Sequence, residues 1–323
     1  MDKFLGVPDM IAEARATRRG HHWALELAIF LAVFFVASMI ESLPLMVGMI
    51  VSIFNNRELI SAVAASGGSA SEAIEALQGL GWVDLVSLFS TVLMTVTVIL
   101  FCRWIEKRRA PTLGFRRGHI LREYSVGVVA ALAMISAAVG IGIISGAYRF
   151  ERVEFSVWPM LLFLFGYMLQ GMSEETLCRG YLMVSISRRN PVWLGALLSS
   201  IVFGALHLMN PGISVLAFIN LVLSGAVFAV YVLRRGNIWG ACAMHSFWNF
   251  FQGNLYGISV SGTGWGQNAS VFRAAVQGAE LWSGGAFGIE GGLCDTIVEI
   301  AALLVLLFLV PKKEDKAAAE AAE

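Results

Sequence analysis

Residues Phe155–Gly180 read FSVWPMLLFLFGYMLQGMSEETLCRG. The reading of this stretch decides the fold. Its first part is an apolar run, and a hydrocarbon core of about 30 Å asks for about 20 such residues per helical span. Glu174, Glu175 and Arg179 follow directly on that run. An ionisable side chain at bilayer depth is costly to keep and marks a functional site by default. The stretch therefore reads as a membrane helix that carries chemistry.

The rest of the chain suits the same solvent. Of its 323 residues, 57% are hydrophobic and 14% charged, too apolar for an ordinary soluble domain. Lys and Arg number 23, as do Asp and Glu, so the net charge is zero. A nucleic-acid partner would need a basic footprint that this chain lacks. The expected class is an all-α polytopic integral membrane protein, with the lipid bilayer as its first partner.

Eight spans are predicted, at residues 23–53, 83–102, 124–146, 156–187, 192–209, 213–233, 237–253 and 292–310, the first with Pro44 as a kink point. Lys and Arg in the short flanks set orientation. They gather at 1–22, at 103–123, at Arg188 and Arg189, at Arg234 and Arg235, and at Lys312 and Lys313, while loops 54–82 and 254–291 carry Arg57 and Arg273 alone. Eight spans with both termini cytoplasmic satisfy this alternation. The chain then divides into an N-terminal arm, 1–22, a single transmembrane domain, 23–311, and a tail, 312–323. Short loops and the lack of a targeting peptide lean toward a bacterial plasma membrane. Cys102, Cys178, Cys242 and Cys294 form no CxxC pair and read as small buried hydrophobes. Trp158, Trp193 and Trp239 fall near span ends, as in an interfacial aromatic belt. The Gly-rich segment 254–291 reads as an outer lid or, more simply, a flexible connection.

Three short patterns lie inside spans. In SEETLCRG, Arg179 stands four residues after Glu175 and shares its helix face, while Glu174 points elsewhere, on the face of Gln170. One carboxylate is thereby neutralised by a charge-assisted pair and the other left free. In FGALHL, Phe203 lies one turn before His207 and can restrict its imidazole; in HSFWNF, His245 and Asn249 share a face. With a rise of about 1.5 Å per residue, Glu174 lies about 21 Å from Arg188, His207 about 24 Å from Pro191, and His245 and Asn249 about 12 and 18 Å from Asn237. All four thus fall within reach of one cavity, from mid-bilayer toward the outer half. A carboxylate in a partly dry pocket takes a proton from water. A neighbouring imidazole orients that water, and further donors hold the oxyanion of a tetrahedral intermediate. This is peptide hydrolysis without a covalent intermediate.

Glu-Glu-x-x-x-Arg, Phe-x-x-x-His and His-x-x-x-Asn, in this order on three membrane helices, resemble the CPBP family. These are the CAAX-prenyl-protease-like intramembrane endopeptidases and bacteriocin-processing or self-immunity proteins, also called Abi. The stretch PTLGFRR, Pro111–Arg117, is similar to the loop that often precedes the family core, and the resemblance covers about 105–255. It implies a catalytic set of Glu174 as general base, His207 as its partner on the water, and His245 with Asn249 on the oxyanion side. It implies Glu175, Arg179 and Phe203 as support, and a peptide or protein substrate, prenylated or membrane-anchored.

Blander readings stand beside these. Glu175 and Arg179 form a structural ion pair on either view. Asn249 also reads as interhelical glue, and Asn220 as a helix-packing or cavity residue. Cys178 is a filler rather than a nucleophile, having no histidine nearby in sequence. No metal or other cofactor is expected; the alternative is zinc on Glu174, His207 and His245, a plausible donor set without the HExxH spacing. Asp295 and Glu299 share a face of the last span with no assigned role. The competing functions are a non-enzymatic binding or immunity scaffold and a proton-coupled transporter, the latter without the repeat that such folds show.

Overall fold

The computed structural model describes residues 5–55, 61 and 81–311. The tail 312–323 and most of loop 54–82 lie outside the described residues. Helix α1 covers Asp9–Thr17, α2 Trp23–Asn55, α3 Val83–Trp104 and α4 Ile120–Ile144. Strand β1, Tyr148–Arg152, precedes α5, Val157–Glu175, which continues as a π-helical segment, Thr176–Met183, and a last turn, Val184–Ser187. Then come α6, Val192–Leu206, α7, Val215–Arg235, α8, Trp239–Phe250, strand β2, Phe272–Val276, and α9, Leu293–Phe308.

Each predicted span coincides with one of α2 to α9. By length and composition, α2, α3, α4 and α7 are apolar enough to cross a membrane. The other four are shorter or interrupted by charge, and three of them, α5, α6 and α8, carry the site. Helix α2 runs through Pro44 as one continuous helix. Helix α7 shows how local sequence sets its ends. The Ser214 hydroxyl accepts from the Ala217 N–H at its start, and Gly236, at φ 67°, turns the chain out after Arg234 and Arg235. Those two positions suit the negative end of the helix dipole.

The basic flanks among the described residues meet on one face. Arg15 donates to the carbonyls of Ser187 and Asn190, Arg116 pairs with Glu13 at 2.9 Å, and Arg234 donates to Leu307 O at 2.7 Å. The N-terminal arm therefore packs as part of this face, with Met10, Ile11 and Ala14 buried. Several of these cations are structural rather than solvated. Arg188 pairs with Glu106 at 2.6 Å and with Glu26 at 3.1 Å, all three buried. Arg108 donates to Gly180 O, Thr112 O and the Ser185 hydroxyl. Burial pulls the Arg108 guanidinium below its ordinary pKa, and these acceptors keep it satisfied. Trp239 also belongs here, its indole donating to Arg116 O, whereas Trp158 is left exposed.

The opposite face corrects the reading of 254–291 as a flexible connection. Within it β2 pairs antiparallel with β1, from Tyr148 opposite Val276 to Arg152 opposite Phe272, a small sheet on an otherwise helical protein. Its glycines serve close approaches: Gly262 has φ +83°, and a side chain there would overlap the Pro211 carbonyl.

Helix α8 packs between α4 and α5, while α6 packs on α7, α2 on α3 and α7 on α9. One buried apolar cluster joins α4, α7, α8 and α9, and a second joins α2, α3 and α6. The π-helical segment contributes to both, through Met183 on one side and Leu177, Cys178, Tyr181 and Leu182 on the other. Between membrane helices, close packing and hydrogen bonds rather than water expulsion supply the stabilisation, so this segment, buried on every side, holds the site in place.

Candidate active site

The site begins where α5 touches α8. At Gly171 a Cβ would lie 2.8 Å from the Ser246 nitrogen, so only a glycine lets the two backbones approach this closely. One turn later α5 presents Glu174 and Glu175, facing His245 of α8. Glu174 keeps 26% of its side chain exposed, whereas Glu175 and Arg179 are fully buried. The free carboxylate and the neutralised one are thus separated as the spacing predicts.

Arg179 Nη1 donates to Glu175 Oε1 at 2.7 Å, and Nη2 donates to Gly225 O of α7 at 3.0 Å. The guanidinium sits 4.6 Å from the ring centre of Phe203 and 5.3 Å from that of Phe228, where a cation is attracted to the aromatic face. Glu175 Oε1 also meets His245 Nδ1 at 3.0 Å. Since a carboxylate only accepts, Nδ1 carries the proton. The ring stacks on Phe228, centroids 5.2 Å apart and planes 11° apart. Arg179, Glu175 and His245 form one relay of contacts across α5, α7 and α8, beyond the local pair the sequence spacing shows.

Glu174 Oε2 faces both imidazoles, 4.0 Å from His207 Nε2 and 3.8 Å from His245 Nε2. His207 stands at the C-terminal cap of α6. Its Nδ1 meets Phe203 O at 2.8 Å and must donate there, since a carbonyl only accepts; its ring lies 4.9 Å from that of Phe203. This fixes the tautomer and turns the Nε2 lone pair toward Glu174. The other carboxylate oxygen accepts from Gln170 Nε2 at 3.1 Å, and Gln170 Oε1 accepts from Asn249 Nδ2 at 3.1 Å. Asn249 is therefore tied to the base through Gln170, and one of its two N–H groups is engaged there.

These groups line a cavity of about 490 Å³. Five of the seven predicted site residues line it, Glu174, Phe203, His207, His245 and Asn249, and Glu175 with Arg179 stand behind them. Cys178 is buried in the apolar cluster of α2 and α3. Asn220 is fully buried and donates to the carbonyls of Glu290 and Gly292 rather than lining the cavity. Glu299 reaches the cavity wall, its Oε1 accepting from Ser224. Three further wall residues were not singled out from sequence: Glu41 of α2, Phe228 of α7 and Glu290 of the outer segment. Glu41 was the one with a usable signal, an acid inside a predicted span.

Glu174 Oε2 and the two imidazole nitrogens, 4.0 and 3.8 Å apart, stand between the spacings of two occupants. Two hydrogen bonds of about 2.8 Å to one water at a tetrahedral angle span about 4.6 Å. Two ligands of a tetrahedral zinc at about 2.1 Å lie only about 3.4 Å apart. Among the described residues, no group of three His, Cys, Asp or Glu side chains is arranged to hold a metal ion.

Residues 156–251 match the family model of the type II CAAX prenyl endopeptidases, Rce1-like. All three motifs fall inside the match. Over this segment the chain is similar to the Rce1-like CAAX prenyl endopeptidases, membrane hydrolases that act on peptide bonds. Helices α2, α3 and α9, and with them Glu41 and Glu299, lie outside it. No curated protein and no solved structure matches the chain.

Proposed function

We propose that the protein is an endopeptidase of a bacterial plasma membrane, a single transmembrane domain over 23–311 that hydrolyses a peptide bond near a lipidated or hydrophobic segment. The observation that carries this reading is the Glu174 carboxylate held within 4.0 Å of two imidazole nitrogens in a cavity among membrane helices. The short loops of the sequence support the bacterial assignment.

A water bound between Glu174 Oε2 and His207 Nε2 gives a proton to Glu174 as its oxygen attacks the scissile carbonyl carbon. The carbonyl oxygen takes up the negative charge on the side of His245 and Asn249, where fixed donors are worth most: Asn249 offers its second N–H, and His245, whose Nδ1–H is held by Glu175, donates from Nε2 in its doubly protonated form. The C–N bond then breaks, and the proton held by Glu174 passes to the leaving nitrogen. The products are a carboxylic acid and an amine, which exchange a proton to leave a carboxylate and an ammonium group, and no bond to the protein forms. Glu175 and Arg179 hold His245 in register, and Gln170 holds Glu174.

The test is a mass-spectrometric cleavage assay on the purified protein in lipid, with farnesylated and unmodified CAAX peptides and native membrane peptides, each with and without a chelator. Cleavage of any of these with chelator present supports the reading. Cleavage abolished by the chelator would put a metal on Glu174, His207 and His245 after all. No cleavage of any peptide by the folded protein would favour a scaffold, and proton-coupled flux in its place a transporter.

A further inference from the structure

Hydroxyls crowd the part of the cavity wall that α2, α3 and α5 supply. Ser38 and Ser42 of α2, Ser87, Ser90 and Thr91 of α3, and Ser173 of α5 all line it. Within α2 and α3 they stand three or four residues apart, the spacing of one helix face. Away from that face α2 is apolar, with Phe35, Met39 and Leu43 exposed. The imidazoles and the Asn249 carboxamide come from other helices, α6 and α8.

A serine or threonine inside an apolar helix commonly turns its hydroxyl back to a carbonyl of the preceding turn. Ser42 donates in this way to Met39 O at 2.9 Å and Thr91 to Leu88 O at 2.6 Å. Outside the cavity Thr176 and Ser199 do the same. Ser38, Ser87, Ser90 and Ser173 do not: no hydrogen bond joins their hydroxyls to another described residue. Ser90 is 6% and Ser173 2% exposed, so what these two side chains face is the cavity. Ser173 directly precedes Glu174, and a group bound to it lies beside the base. Hydrolysis needs a scissile carbonyl that is free of helix hydrogen bonds. A chain unwound at this depth bares N–H and C=O groups that hydrocarbon does not satisfy. A hydroxyl carries one donor and two acceptor lone pairs, so it serves either group. Neutral hydroxyls distinguish little between side chains, but they match the main chain that every peptide has.

We propose that Ser38, Ser87, Ser90 and Ser173 form a main-chain binding site, which holds the substrate extended beside the scissile bond through hydrogen bonds between these hydroxyls and the peptide's backbone N–H and C=O groups. The ligand class is an extended peptide backbone. Selection at this wall is for a segment that unwinds rather than for particular side chains. The inference rests on the endopeptidase reading for the word scissile, but main-chain binding is measurable without cleavage.

The experiment uses the full chain in lipid nanodiscs, with Glu174→Gln as the non-cleaving form. The probes are a farnesylated CAAX peptide, an unmodified hydrophobic peptide, and analogues of each with one backbone amide at a time replaced by an ester. Each ester removes a single N–H and keeps every side chain. At one or more positions the ester is expected to bind Glu174→Gln about tenfold more weakly than its parent. Ser38→Ala, Ser87→Ala, Ser90→Ala and Ser173→Ala are then added singly. At least one should weaken the parent and bring the parent-to-ester ratio at its position toward one, the coupling a double-mutant cycle reads. Ser199→Ala removes a hydroxyl that already donates to Ala196 O outside the cavity, and should leave the ratio as it is. Equal binding of every ester and its parent, a ratio that none of the four substitutions moves, or no binding of either parent overturns the inference. The endopeptidase reading fails separately, if the wild type leaves intact the peptides that Glu174→Gln binds.

Discussion

Glu175 carries more of this site than its neighbour's chemistry suggests. It takes hydrogen bonds from Arg179 and His245 through one oxygen, and its other oxygen is buried without a partner. Removing the arginine would strand a fully buried carboxylate. Arg179→Met is therefore expected to destabilise the protein by about 3–5 kcal/mol, read as a lowered unfolding midpoint in detergent or lipid; a midpoint unchanged from wild type would mean the pair contributes nothing. This pair was legible in sequence because both residues sit on one helix, four apart. Glu174, His207 and His245 were legible for a similar reason, each marked by a local pattern inside an apolar run. Glu41 was marked only as an acid inside a predicted span, and its place in this cavity was not legible, since no local pattern in a distant helix says which cavity it joins. Nor was the contact from Glu175 to His245, which depends on how α5 and α8 cross.

At the scale of helices, that crossing is set by Gly171 against Ser246. Gly171→Val would push α5 off α8 and separate Glu174 and Glu175 from His245. The expected result is at least a hundredfold loss of cleavage, since misplacement by about 1 Å already costs that much, with protein still inserted in the membrane. Retention of wild-type cleavage by Gly171→Val would show that the two helices can repack without cost to the site. Hydropathy located each span, because the bilayer imposes length and apolarity on a local stretch. It did not reveal that Thr176–Met183 is π-helical, a feature often found at functional sites, because the wider turn leaves composition unchanged. The segment 254–291 was misread for a related reason. Its Gly and Ser content is that of a linker, but its order comes from pairing with β1 and from contacts with residues far off in sequence.

For the molecule as a whole, the segment 156–251 carries Glu174, His207, His245 and Asn249, while α2, α3, α9 and the outer segment complete the cavity around them. Glu290 fastens the outer segment, accepting from both Ser261 and Gln252. Its burial outweighs these donors and raises the carboxyl pKa above its ordinary value. A raised carboxyl contributes stability that is complete below its unfolded pKa, about 4.3, and is lost as pH rises through the folded value. The melting temperature of the wild type minus that of Glu290→Gln should accordingly shrink from pH 4 toward pH 8. A difference that stays flat or grows with pH contradicts this. The alternation of basic flanks was legible at this scale, and the described flanks do meet on one face; which of those cations are solvated and which, like Arg108 and Arg188, are buried could not be read from charge alone.

The account stands or falls on Glu174 as the base. The most direct measurement is the single-turnover cleavage rate of a peptide that the wild type hydrolyses, compared with that of Glu174→Gln. Both proteins are held in the same lipid and matched by unfolding midpoint. Gln keeps the shape and can still accept from Gln170, but cannot take a proton from water. A loss of about a hundredfold to ten-thousandfold in rate is the predicted result. A Glu174→Gln protein that cleaves at the wild-type rate would contradict the account.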